Sequence, residues 1–150
     1  MKMGVWYTFW RRQEGATAIE FALVLPLLLS ILFGIVAFGQ YFAIANSLQQ
    51  LAAEAARYSV SEPYFADRKD RAETFLGAPG DRFSFLDVSH IIVQKICVFP
   101  EDQIACGVTN IYDAVQITLT YDLDGTAVAV ADSFLGLGIP DITRRSYLAY

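Results

Sequence analysis

The sequence has 150 residues, room for one domain, and carries 11 Lys and Arg against 16 Asp and Glu. That acidic balance, with no basic stripe and no Lys or Arg interleaved with aromatics, excludes a nucleic-acid binder. The charge is also unevenly spread: Lys2, Arg11 and Arg12 face only Glu14 at the start, whereas the residues after Asn46 are strongly acidic.

The first segment, MKMGVWYTFWRRQE, mixes a basic pair with Trp6, Tyr7, Phe9 and Trp10, aromatics suited to a membrane surface. It reads as a leader over residues 1–15 with no fold of its own. Arg11–Arg12 does not make a twin-arginine signal, because Glu14 intrudes before any apolar run.

The stretch GATAIEFALVLPLLLSILFGIVAFG, Gly15 to Gly39, then carries one charge, Glu20, and none after it before Glu54. From Phe21 it is apolar or small over about the ~20 residues that a helix needs to cross ~30 Å of hydrocarbon. Its leucines and isoleucines point all round, the pattern of a membrane helix rather than of a soluble amphipathic one. Pro26 and Gly34 weaken such a helix in water but are tolerated in lipid. The short basic flank stays inside, so the chain is expected to be single-pass in the inner (cytoplasmic) membrane, N-terminus cytoplasmic and acidic body periplasmic. An ordinary secretory signal cut after Ala43-Ile44-Ala45 is the competing reading, against which stands an apolar section far longer than 7–15 residues.

Gln40 to Val60 continues the helix with apolar residues at three- and four-residue steps: Phe42, Ala45, Leu48, Ala52, Ala55 and Ala56. One helix is expected over residues 16–60, half in lipid and half offering a stripe to the remaining chain. Ser61-Glu62-Pro63 ends it. Residues 61–150 are expected to form a periplasmic α+β domain. It holds a short charged helix over 66–76, mostly solvated, and an antiparallel sheet of about three strands. The strands are read at Val88–Phe99, at Asn110–Leu123 with Val115, Ile117, Leu119 and Tyr121 on one covered face, and at Ile142 to the end. Thr126–Leu137 is apolar and reads as a loop or short helix.

Chemistry-bearing residues are few. Cys97 and Cys106 enclose a short loop and read as a structural disulfide, as two free thiols or, least well by spacing, as part of a metal site. His90 stands on the first strand without a partner motif. Asp122-Leu123-Asp124-Gly125 lacks the later ligands of a calcium loop and reads as a turn. No nucleophile motif or phosphate loop is present, so no catalytic residue, metal or cofactor is expected. Glu20 is the residue that asks for an explanation. A carboxylate within an apolar segment costs ~2–3 kcal/mol near mid-bilayer and less near the edge. Either Glu20 marks the interfacial end of the helix, or it has a partner. If a peptidase cuts after Gly15, Ala16 gains an α-amino group of ordinary pKa ~7.7–8, a cation at the right depth for a neighbouring chain's Glu20.

Gly15-Ala16-Thr17-Ala18-Ile19-Glu20-Phe21 before a long apolar helix resembles the type IV prepilin signal. The wider phrase RRQEGATAIEFALVLPLLLSILFGIVAFG, with Pro26 and the later AAEAAR, resembles the N-terminus of TadE-like proteins, pseudopilins or minor pilins of tight-adherence (Flp) pilus systems. Major Flp pilins are shorter and lack a soluble body, so the likeness is to the minor type. The resemblance implies cleavage between Gly15 and Ala16 by a prepilin peptidase and residence in inner-membrane lipid. It also implies a role in pilus assembly, with other pilin-like subunits and the assembly platform as partners, and Glu20 and Phe21 setting helix register. Beyond the N-terminal part it offers only a compatible layout. The alternative is a single-span anchor carrying an unrelated periplasmic binding or adaptor domain.

Overall fold

In the computed structural model, which describes residues 13–107 and 113–150, one helix of 48 residues, α1 (Gln13–Val60), spans about 72 Å at 1.5 Å per residue. Most of the leader expected over residues 1–15, positions 1–12, lies outside the described residues. Leu and Ala dominate α1 and favour helix, and Pro26 is accommodated inside it without ending it. The helix stops at Val60, where Ser61 Oγ donates to Tyr58 O at 2.7 Å, Glu62 N to Ser59 O at 3.2 Å, and Pro63 follows.

The second helix, α2 (Phe65–Gly77), folds back on α1. Ala72 and Leu76 are buried, and Ser59 Oγ donates to Arg68 O at 2.7 Å. Arg68 Nε donates to Glu62 O at 2.8 Å, and Arg71 pairs with Glu62 at 3.3 Å. The expected solvated face is there, but so is a buried one.

Three strands, β1 (Ile91–Phe99), β2 (Ala114–Tyr121) and β3 (Ile142–Ala149), form one antiparallel sheet in the order β1-β2-β3. The register pairs Ile96 with Ile117 and Ile117 with Ser146, with an irregularity in β1 between Val93 and Lys95. Between β1 and β2 lies a four-residue helix, α3 (Gln103–Cys106), and between β2 and β3 lies α4 (Ala127–Leu135). The architecture is α+β: a long apolar helix, then a small domain of short helices on a three-stranded sheet.

The C-terminal half of α1 crosses the inner face of this sheet. Leu48, Leu51, Ala52, Ala55 and Ala56 have no exposed surface and pack with Ile96, Ile117, Leu119 and Ile142. Each fully buried Leu or Ile contributes about 1.5–3 kcal/mol. The alanines let the helix backbone lie close to the strands.

Three expectations need correction. First, Val88–His90 is a single 3-10 turn, because Asp87 Oδ1 accepts from Ser89 N at 2.9 Å and bends the chain; β1 starts only at Ile91. Second, β2 is covered on both sides although its sequence alternates. It is the central strand, and Gln116, Thr118 and Thr120 are shielded by flanking-strand residues paired with them, such as Lys95 and Arg145 beside Thr118. Third, Phe42 is exposed and off the stripe, roughly 100° round the helix from Tyr41, whereas Ile44 and Leu51 belong to it.

Candidate functional site: the apolar half of the long helix

The first half of α1, from Thr17 to Gly39, is where sequence and structure are hardest to reconcile with water. Leu23, Phe33 and Ile35 are each about two-thirds exposed or more, and the other large apolar side chains of this half, apart from the part-buried Leu25, are exposed too. It is a helix long and apolar enough to cross a membrane. Among the described residues no other element covers it between Thr17 and Phe33.

Gly15 and Ala16 stand in the first turns of α1, so the peptide bond between them is in helical conformation. Glu20 and Phe21 follow one turn later, both exposed. Among the described residues no cation forms an ion pair with Glu20; the ion pairs found are Arg71–Glu62 and Arg82–Glu54, both in the folded domain. Glu20 is thus an exposed carboxyl side chain near the head of an apolar rod.

Where the apolar half meets the domain, Gln40, the first polar side chain past the run, turns inward. Its Oε1 accepts from Ala127 N at 2.7 Å, the first N–H of α4. Thr126 caps the same helix, its Oγ1 accepting from Ala129 N at 3.3 Å. Through this clasp α4 lies along α1, burying Ala37 and Val128 and half-covering Gly34. A groove of about 310 Å³ remains between the two helices, lined by Gly34, Ala37, Phe38, Tyr41, Leu135 and Leu137 among others. Nothing in the sequence order announced this contact, which joins Gln40 to Ala127; the signal available was the apolar surplus of Thr126–Leu137.

At the opposite end of the domain Cys97 and Cys106 are joined by a disulfide, with Cα atoms 6.3 Å apart. The loop it closes is held further by Val98 N donating to Asp102 Oδ2 at 2.9 Å and Lys95 Nζ donating to Ala105 O at 2.8 Å. Cys97 is buried beside Phe99 and Ala114, the setting of a staple rather than of an exchangeable thiol. His90 is tied down, its Nδ1 3.2 Å from Asp122 O and its ring stacked on Tyr121 at 5.8 Å. Asp122 Oδ1 accepts from Asp124 N at 2.9 Å, closing the Asp122–Gly125 turn. Among the described residues no three His, Cys, Asp or Glu side chains gather as metal ligands.

Among the described residues two groups are shifted from their ordinary pKa. The Ser89 hydroxyl and then the Ser89 amide hold the Asp87 carboxyl below its ordinary range. Partial burial raises the Tyr150 phenol, an effect opposed by the Arg68 guanidinium 4.2 Å above its ring. Neither lies near the apolar half of α1.

Residues 15–57 match the family model described as TadE-like protein. No curated protein and no solved structure matches the chain.

Proposed function

From a TadE-like helix over residues 15–57, we propose that the protein is a pilin-like subunit associated with a tight-adherence type IV pilus, acting as a pseudopilin or minor pilin in its assembly. The observation that carries this reading is one carboxylate, Glu20, facing outward one turn after Gly15–Ala16 at the head of a helical run that carries no further charge before Glu54. The role is structural, and the chain's own residues perform it. A prepilin peptidase removes residues 1–15, and the mature chain starts at Ala16. The helix rests in inner-membrane lipid with the domain on the periplasmic side, then exchanges lipid contacts for contacts with other pilin-like helices at the assembly platform.

Between helices in lipid the hydrophobic effect is absent, so close packing and charge pairing decide association. Ala18 and Ala22 are exposed small residues that permit close approach. Ala37 is not free for this purpose, since α4 already covers it. The Ala16 α-amino group, of ordinary pKa ~7.7–8, is a cation near neutral pH. Paired with a neighbour's Glu20 it offsets the cost of a carboxylate at the edge of the apolar layer, which is smaller than the mid-bilayer cost, and fixes the axial stagger of the two helices. Phe21 packs beside that pair.

Two variants test the reading. Gly15→Leu should leave a full-length protein in membranes, whereas the natural chain gives a mass beginning at Ala16. Glu20→Ala should be processed normally yet fail to co-purify with its pilin-like partners. A natural chain that begins at Met1 or at Asn46 refutes the processing step and favours a plain anchor or a secreted domain.

A further inference from the structure

We propose that α4 and the loop after it, Val130 to Ile139, form a second membrane contact, a short interfacial wedge seated among phospholipid acyl chains of the leaflet that faces the folded domain. The proposal rests on α1 spanning the membrane, as argued above, and goes beyond it.

Depth is the first argument. A span of ~20 residues counted from Phe21 reaches Gln40. Gly34, Ala37 and Phe38, against which α4 lies, then stand about 3 to 9 Å inside the hydrocarbon boundary at 1.5 Å per residue. The Gln40–Ala127 hydrogen bond fixes the start of α4 at that boundary, so the domain has no freedom to hold its apolar end clear of lipid.

Surface chemistry is the second. Phe134 is 84% exposed, and Val130 one turn earlier, Leu135 and Leu137 are each more than half exposed. Leu135 and Leu137 line one groove with the exposed Phe38 of α1, part of the surface already assigned to lipid. An interfacial segment is expected to bury its apolar side ~5–10 Å deep, which is the depth α1 imposes.

Polar satisfaction is the third. Asp132 is the one charged side chain between Thr126 and Pro140; it is partly buried, and its Oδ1 accepts from Ile139 N at 3.1 Å. Ser133 Oγ donates to Val130 O at 2.8 Å, and Gly136, in the left-handed conformation at φ 62°, donates its N–H to Asp132 O at 2.7 Å. Hydrogen bonds closed within the segment are what a backbone needs to enter a low-dielectric layer.

The test uses the full chain, one copy per lipid nanodisc of phosphatidylethanolamine and phosphatidylglycerol. Because Cys97 and Cys106 are joined, a single introduced thiol is the reactive one. Phe134→Cys and Leu137→Cys are compared with Ile104→Cys, 97% exposed at the far end of the domain, and with Leu28→Cys in the middle of the apolar half. A charged thiol reagent should label Ile104→Cys quickly and the other three at least about tenfold more slowly, as burial in lipid requires. Labelling of Phe134→Cys and Leu137→Cys at the Ile104→Cys rate, with Leu28→Cys still protected, overturns the wedge alone. Rapid labelling of Leu28→Cys overturns the membrane-spanning reading itself. Protection of Phe134→Cys that appears only in crowded vesicles and vanishes at one copy per disc makes a second chain the occupant, and overturns the lipid assignment.

Discussion

The two halves of α1 share one backbone and obey two different solvents. From Thr17 to Gly39 apolar side chains surround the axis and most are exposed; from Gln40 to Val60 they narrow to a stripe buried on a sheet. The stripe does not begin at the boundary. Gly34, Ala37, Tyr41, Ile44, Leu48, Leu51 and Ala55 follow one face of the helix, so the docking side extends into the apolar half, where α4 takes over from the strands. What changes at Gln40 is the opposite side, which gains Gln49, Gln50, Glu54 and Arg57. A helix read only by its average hydrophobicity would hide that the change concerns one face.

The largest test of this difference is a matched pair of truncations. Leu48→Ala removes a fully buried side chain between α1 and the sheet and should cost about 2–5 kcal/mol of domain stability. Leu28→Ala, in the exposed apolar half, should leave the domain's unfolding unchanged. Thermal unfolding in the same mild detergent, followed by the strand signal, reads both. An equal loss in the two variants would mean that the halves are not energetically separate.

Next in size is the staple far from the lipid. Replacing Cys97 and Cys106 together by Ala frees a loop whose closure is worth about 2–3 kcal/mol by chain entropy. Unfolding should shift for the domain while membrane association of α1 stays as it was. At the junction itself, Gln40→Leu keeps the bulk and deletes the acceptor for Ala127 N, leaving that N–H to be satisfied elsewhere at a cost of about 1–3 kcal/mol. Faster amide hydrogen exchange in α4, with the strands unchanged, is the expected reading.

How much of this was legible follows from where each force acts. The membrane-like run, the helix stop at Ser61-Glu62-Pro63 and the alternation in β3 are local patterns, and each shows in the sequence directly. The burial of Gln116, Thr118 and Thr120 is not local: it depends on β2 being the middle strand, and strand order is set by chain closure rather than by composition. Asp87 looks like any surface carboxylate before β1, and only its bond to Ser89 N shows why the strand starts three residues later than its β-branched residues suggest. At the candidate site Gly15, Ala16, Glu20 and Phe21 were visible as a linear motif. The α4 contact was not, since Gln40 and Ala127 are distant in sequence and neither residue type signals the other.

The smallest expected effect belongs to that same Asp87, in the watery part of the molecule. Its carboxylate accepts from both the hydroxyl and the amide of Ser89, which favours the charged form and sets the folded pKa below the unfolded value of ~3.9. The native state therefore binds fewer protons here than the unfolded chain does. The contribution is complete above the unfolded pKa and is lost as pH falls through the folded one. Ser89→Ala deletes the larger of the two donors, so the Asp87 carboxyl should titrate at higher pH in that variant, read by its carbon chemical shift. The site is exposed, and domain stability near neutral pH should hardly move. An unchanged midpoint would assign the depression to the turn's amide alone, and would make the start of β1 a property of backbone geometry rather than of the Asp87–Ser89 side-chain pair.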